Sequence, residues 1–119
     1  MYGIIATWRM ALEGISKADS MLKNNESAAD SIEEAIKAVE DFEYYKSVGY
    51  GGLPNEEMEV ELDAAFMDGD TLEFGCVGGV KDFANPVSIA RSLMHYDANN
   101  FLIGQGAEKY ASRHGFERK

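Results

Sequence analysis

This 119-residue chain has one cysteine, two prolines and few basic side chains, and it lacks any long apolar run. A lone Cys76 excludes an intrachain disulfide framework and a cysteine-built zinc site, and it suits a reducing compartment. No uninterrupted apolar stretch approaches the roughly 20 residues that a membrane-spanning helix requires. The short apolar stretch from Met1 to Thr7 has no basic leader before it, so a secretory signal is expected to be absent or already removed and the location cytoplasmic. Against 21 Asp and Glu stand 11 Lys and Arg, a balance of −10. Phosphate neutralisation needs clustered Lys and Arg, so this balance argues against a nucleic-acid partner and equally against an anionic membrane surface.

What is present is enough for a single domain over residues 1–119. The length allows one domain and no second. Apolar residues at 45% suffice for a core, and no repeat, low-complexity tract or linker divides the chain. Gly3 to Thr7 (GIIAT) reads as a short buried strand ending at Trp8. Met10, Ile15, Ala18, Met21 and Leu22 then fall on one helical face, and Asn24-Asn25 is a suitable stop because Asn tolerates the left-handed conformation. Ser27 can cap a second helix, Ala28 to Phe42, whose Ala28, Ile32, Ala35, Ile36 and Val39 keep the helical spacing. A glycine-rich turn, Ser47 to Gly52, follows. Glu59 to Met67 and Thr71 to Val80 read as strands joined by the turn signal Asp68-Gly69-Asp70, an antiparallel hairpin. Gly75, Gly78 and Gly79 suggest close approach of another layer. Asn85-Pro86 is a helix start with Asn at the cap and Pro at the first position, and the apolar face is Val87, Ala90, Leu93 and Met94. Phe101 to Ile103 reads as a strand and Gly106 to Arg113 as a last helix. The order β-α-α-β-β-α-β-α does not suit a doubly wound parallel sheet; it suits a layered α+β domain.

No set of residues forms a complete catalytic constellation. Cys76, mid-strand, reads as an inert buried thiol. His95 and His114 sit near helix ends without ligand spacing, where the helix dipole accounts for them. Glu40, Asp41 and Glu43 read as a solvated helix end rather than a metal site. The Gly49-Tyr50-Gly51-Gly52 cluster lacks the Lys-Ser/Thr of a phosphate loop, and Gly104-Gln105-Gly106 lacks a third glycine and a downstream acid. Met10, Met21, Met58, Met67 and Met94 read as core filler.

Ordered motifs go further. Thr7-Trp8, Val39-Glu40-Asp41, Ser47-Val-Gly-Tyr-Gly-Gly-Leu-Pro54, Leu62-Asp63-Ala64, Met67-Asp68-Gly69, Asn85-Pro-Val-Ser-Ile-Ala-Arg91 and Leu102-Ile-Gly-Gln-Gly-Ala107 together resemble the glycosylasparaginase family, over about residues 3–116. These are N-terminal-nucleophile (Ntn) hydrolases related to isoaspartyl peptidases and plant-type asparaginases. That related branch has a His-Gly-Gly-type segment after the first strand and Asn-Ala-Gly at the glycine loop. Thr7-Trp8 and Ser47 to Gly52 are instead similar to the glycosylasparaginase pattern. The resemblance implies an α-β-β-α four-layer sandwich made of an α-chain and a β-chain, cut from one precursor and paired as (αβ)2. It implies hydrolysis of the amide joining N-acetylglucosamine to asparagine, without a cofactor or metal. The catalytic Thr would open the β-chain, its α-amine activating its own hydroxyl, so this chain would hold no catalytic residue.

Within that resemblance, Trp8 matches the tryptophan lining the substrate pocket, and Ser47 the serine that opens the glycine loop near the nucleophile. Asp63 and Asn85 match positions read as structural. Asp70-Thr71 imitates the family's cleaved Asp-Thr bond, but Gly69 precedes it and Leu72-Glu73 follows, and residues 72–119 are too short for a β-chain. Departures fall at residues 43–46 (Glu-Tyr-Tyr-Lys), at Met58 where glycine is common, and at Asn99 in place of a frequent histidine. Two alternatives share the scaffold: an L-asparaginase or β-aspartyl peptidase, and a non-catalytic homologue that only binds.

Overall fold

In the computed structural model, which describes residues 1–119, the chain does not begin with a strand. Residues 3–7 have no strand hydrogen bonding, and Ile5 is 94% exposed. A strand exists by virtue of a neighbouring ladder, and the sheet below gives this segment none. It runs instead into a 3-10 turn, Arg9–Ala11, and then into α1, Leu12–Lys23. Asn25 takes a left-handed φ of 60°, as its place after the helix suggests. Ser27 accepts the Asp30 N–H at 3.0 Å and starts α2, Ala28–Glu40, two residues shorter than the reading to Phe42.

A second 3-10 turn at Gly49–Gly51 precedes the hairpin of β1, Leu62–Met67, and β2, Phe74–Val80. Their antiparallel register sets Ala65 opposite Cys76 and Phe66 opposite Gly75. Next come α3, Pro86–Leu93, then β3, Phe101–Ile103, and α4, Gly104–Arg113. Strand β3 lies parallel to β2, giving the sheet order β1-β2-β3. The hairpin, β3 and the helices flanking it match the expected α+β pattern.

Alternation divides the sheet into two faces. Phe66, Val77 and Val80 point inward against Val87, Leu93 and Ala111 of the helices and are buried. Helix α3 lies so close to β2 that a Cβ at Gly75 would stand 1.9 Å from the Ala90 carbonyl oxygen. Gly75 therefore has the close-approach role expected of the glycines in this strand. At Gly78 the nearest atom would be 3.4 Å away, and at Gly79 nothing is near.

The opposite face is apolar and open. Met67, Phe74, Phe101 and Ile103 on it are 58%, 45%, 62% and 67% exposed. Cys76 belongs to this face and is half-buried, not the core thiol that its mid-strand position suggested. Met67 is likewise no core filler, and Met58 (79% exposed, φ 64°) sits in a turn. One helix layer on one sheet gives a slab of 45 × 36 × 22 Å with 20 of 119 residues buried. The helices thus cover one face of the sheet and leave the other unpacked.

Candidate functional site

The helix layer is wider than the sheet beneath it. Helix α3 packs on β1 and β2, and α4 on β2 and β3, while α1 and α2 pack chiefly on each other and α2 touches α3. The apolar stripe of α2 therefore faces a groove of about 690 Å³, closed on its far side by residues 2–8. Of its 17 lining residues 15 are hydrophobic, among them Ile15, Ile32, Ile36 and Val39, so it suits apolar packing. Thr7 and Trp8 line this groove, and so does Val48 of the glycine loop. The structure thus brings together two segments that the sequence places forty residues apart. Trp8 is 66% exposed. Ser47 is exposed, one residue before the groove-lining Val48.

The glycine loop is seated on the end of α2. Gly49, with φ +69°, has no room for a methyl group, because its Cβ would lie 2.2 Å from the Glu40 carbonyl oxygen. At Gly51 it would lie 2.0 Å from the Glu43 carbonyl oxygen. These glycines serve close backbone packing, which explains the cluster without a phosphate.

Glu40 overturns one expectation. It is not part of a solvated helix end: it is 2% exposed. Its Oε1 accepts the Val87 N–H and its Oε2 the Asn85 Nδ2–H, both at 3.1 Å. Asn85 also donates to Asp41 Oδ1 at 2.9 Å and makes no side-chain cap bond to its own helix. Sequence reasoning missed Glu40 although a signal existed, since it continues the stripe of Ile32 and Ile36 at steps of four.

Burial pushes the Glu40 carboxyl up to about 7; the bonds from Asn85 and Val87 oppose this, and the negative charges of Asp41 and Glu33 add to it. Since the folded value lies above the ordinary 4.5, the folded chain binds this proton more tightly than the unfolded one between those values. The stability due to Glu40 is therefore full below pH 4.5 and is lost as pH rises through about 7, roughly 3 kcal/mol for such a shift. Equilibrium unfolding of wild type and Glu40→Gln between pH 4.5 and 8 checks this. The fall is expected in wild type and not in the variant; parallel profiles would contradict it.

The remaining candidates are scaffold. Asp63 Oδ1 accepts the Gly79 N–H at 2.8 Å, bracing the irregular end of the hairpin, and so has the structural role expected of it. Asp70-Thr71 lies in the hairpin turn, where Thr71 Oγ1 accepts the Glu73 N–H at 3.2 Å. His95 follows α3 and meets Glu73 at 3.1 Å, and His114 ends α4. Gly104 starts α4 with φ +50°.

Comparison with known proteins supplies the context. The sequence profile of the asparaginase family matches residues 5–119. The chain is 34% identical over 116 residues to the N(4)-(beta-N-acetylglucosaminyl)-L-asparaginase of Elizabethkingia miricola, covering 98% of this chain and 34% of that protein. It is 40% identical over 107 residues to the isoaspartyl peptidase/L-asparaginase of Rattus norvegicus, covering 87% and 32%. To the plant-type L-asparaginase of Thermococcus kodakarensis it is 39% identical over 114 residues, covering 96% and 33%. The chain thus spans about a third of the length of the curated relatives it matches. Identity does not separate the branches.

Proposed function

This chain belongs to the asparaginase family, and on that premise we propose that it is the α-subunit part of an autoprocessed Ntn amidohydrolase. Its reaction is hydrolysis of the asparagine side-chain amide, in the glycosylasparaginase form converting N-acetylglucosaminyl-asparagine to aspartate and the aminosugar. The observation that carries this reading is the half-built fold: an apolar sheet face without a cover, beside a helix pair whose apolar stripe faces a groove. A β-chain of the same precursor fits both. Its strands, with residues 3–7, extend the sheet under α1 and α2, and its second sheet covers Met67, Phe101 and Ile103 to complete the four-layer sandwich. Two such pairs form the (αβ)2 assembly.

By the family resemblance the nucleophile belongs to that β-chain, and the placement of Thr71 in a hairpin turn agrees with this. The new N-terminal Thr attacks the amide carbonyl with its hydroxyl while its α-amine takes the proton. Donors aimed at the carbonyl oxygen stabilise the tetrahedral intermediate. The leaving amine departs protonated, and water then hydrolyses the aspartyl ester. This chain contributes the wall: Trp8 at the groove, with Ser47 beside it near the nucleophile.

Trp8 gives a test of that role. In the assembled enzyme, Trp8→Phe is expected to lower kcat/KM on an aspartyl-amide substrate about tenfold, equivalent to about 1.4 kcal/mol. Because Phe keeps an aromatic ring in the same place, the melting temperature should stay within a few degrees of wild type. A large drop in melting temperature with unchanged kinetics per folded molecule would place Trp8 in the core.

A second reading within the family is an L-asparaginase or β-aspartyl peptidase, since relatives named for those activities also match the chain. The Thr7-Trp8 and Ser47 to Gly52 segments favour the glycoasparagine substrate. The full-length protein, assayed on N-acetylglucosaminyl-asparagine, a β-aspartyl dipeptide and asparagine, is expected to give the highest kcat/KM on the first. A clear preference for the dipeptide or asparagine moves the chain to the other branch. Correct cleavage with no turnover on any of the three leaves a scaffold used for binding.

A further inference from the structure

We propose that Glu40 is a positioning residue whose carboxylate ties the end of α2 to the start of α3, so that the glycine loop from Ser47 to Gly52 is held in place against the groove. Its effect on turnover rests on the amidohydrolase reading; the coupling of Glu40 to the loop does not.

A carboxylate that is 2% exposed loses most of its hydration and persists only with strong partners. Glu40 has two N–H donors and no Lys or Arg partner within salt-bridge distance. One donor, Val87 N–H, lies in the first turn of α3, where backbone N–H groups lack partners inside the helix and the dipole favours negative charge. The other is the side chain of Asn85, the residue that starts α3. An Asn at that position can cap its own helix at little desolvation cost. Here it faces away from its helix and spends its hydrogens on Glu40 and Asp41. Helix α3 is thus capped from α2, an arrangement that costs more than a local cap and fixes something a local cap does not: the position of the last turn of α2.

The glycine loop rests on that turn. Gly49 contacts the Glu40 backbone with no side chain between them, at a spacing that leaves no room for a Cβ (2.2 Å from the oxygen, 2.3 Å from Cα). A shift of Glu40 therefore passes to Gly49 directly. The loop itself is braced, since Gly52 N–H bonds to the Gly49 carbonyl at 2.9 Å and Leu53 N–H to the Lys46 carbonyl at 3.0 Å. Gly49 is two residues from Ser47 and adjacent to Val48 at the groove. The path runs from the buried face of α3 through Glu40 and Gly49 to the segment that borders Trp8.

A natural control lies nearby on the same helix pair. Glu33 of α2 bonds Ser88 and Arg91 of α3, and Arg91 also meets Asp30 at 2.7 Å. This second tie joins the same helices without touching the loop.

The test uses the full-length, processed protein and two readouts: amide hydrogen exchange of residues 48–52 and steady-state kinetics well below each variant's melting temperature. Glu40→Gln keeps the size and loses the acceptor facing Asn85; Asn85→Ala leaves the carboxylate and removes the donor. Both are expected to raise exchange in the loop about tenfold, as for loss of one buried hydrogen bond, and to lower kcat by a similar factor with KM little changed. Glu33→Gln is expected to lower the melting temperature and to leave loop exchange and kcat near wild type. If Glu40→Gln does not fold, Asn85→Ala decides. The proposal is overturned if loop exchange is unchanged, if Glu33→Gln raises it equally, or if exchange rises while kcat does not move. Raised loop exchange in a protein whose wild type turns over no asparagine amide would keep the coupling and overturn the amidohydrolase reading instead.

Discussion

Gly75→Ala is expected to be strongly destabilising. Its Cβ would lie 1.9 Å from the Ala90 carbonyl oxygen and 2.9 Å from both Leu93 Cβ and Met94 N. The first and last of these are backbone atoms of α3 and its C-cap, so no flexible side-chain end can move aside. Relief requires α3 to lift from β2, which opens the contacts of Val87, Ala90 and Leu93, all at most 1% exposed. Overpacking of this kind costs about 3 kcal/mol or more. Chemical denaturation of the full-length protein measures it. Gly78→Ala, three residues along the same strand with its nearest neighbour at 3.4 Å, should stay within about 1 kcal/mol of wild type. Equal costs at the two sites would mean that α3 is not seated on β2 at Gly75.

Ile103→Asp should act in the opposite place, on the open face of the sheet. Ile103 is 67% exposed in this chain, at the end of β3. If water covered that face in the working protein, an Asp there would be harmless. If a second sheet covers it, the variant buries an unpaired carboxylate at a cost of several kcal/mol, and the two chains fail to assemble. Size-exclusion chromatography of the full-length variant distinguishes these results. Assembly at wild-type yield would show that this face is not the inter-layer surface.

The residues that the sequence made legible are those whose signals are local. Ser27 caps α2, Asn25 stops α1, Pro86 opens α3, and β3 falls on Phe101–Ile103, because caps, stops and short apolar runs depend on neighbours a few residues away. Local signals do not suffice where the deciding partner is distant. Residues 3–7 carry a strand's composition, yet no strand of this chain pairs with them. Cys76 sits in an apolar run, and composition alone does not say that Val77 faces the helices and Cys76 the other side. Alternation along β2 would have separated them. Asn85 looked like a self-sufficient cap because its real partners, Glu40 and Asp41, are more than forty positions away. Of the site, the Thr7-Trp8 and Ser47 to Gly52 segments are legible as motifs, while their meeting at one groove exists only in three dimensions. The inward facing of Glu40 is legible in the sequence, since four-residue steps from Ile32 and Ile36 lead to it.

The proposed enzyme depends on a second polypeptide cut from the same precursor. Intact-mass analysis of the native protein, expressed from its full reading frame and purified without denaturant, addresses this directly. The predicted result is two co-purifying polypeptides, one containing residues 1–119 and the other beginning with threonine. A single uncut polypeptide that hydrolyses an asparagine amide, or one that stays uncut and folds as a stable monomer, would contradict the account.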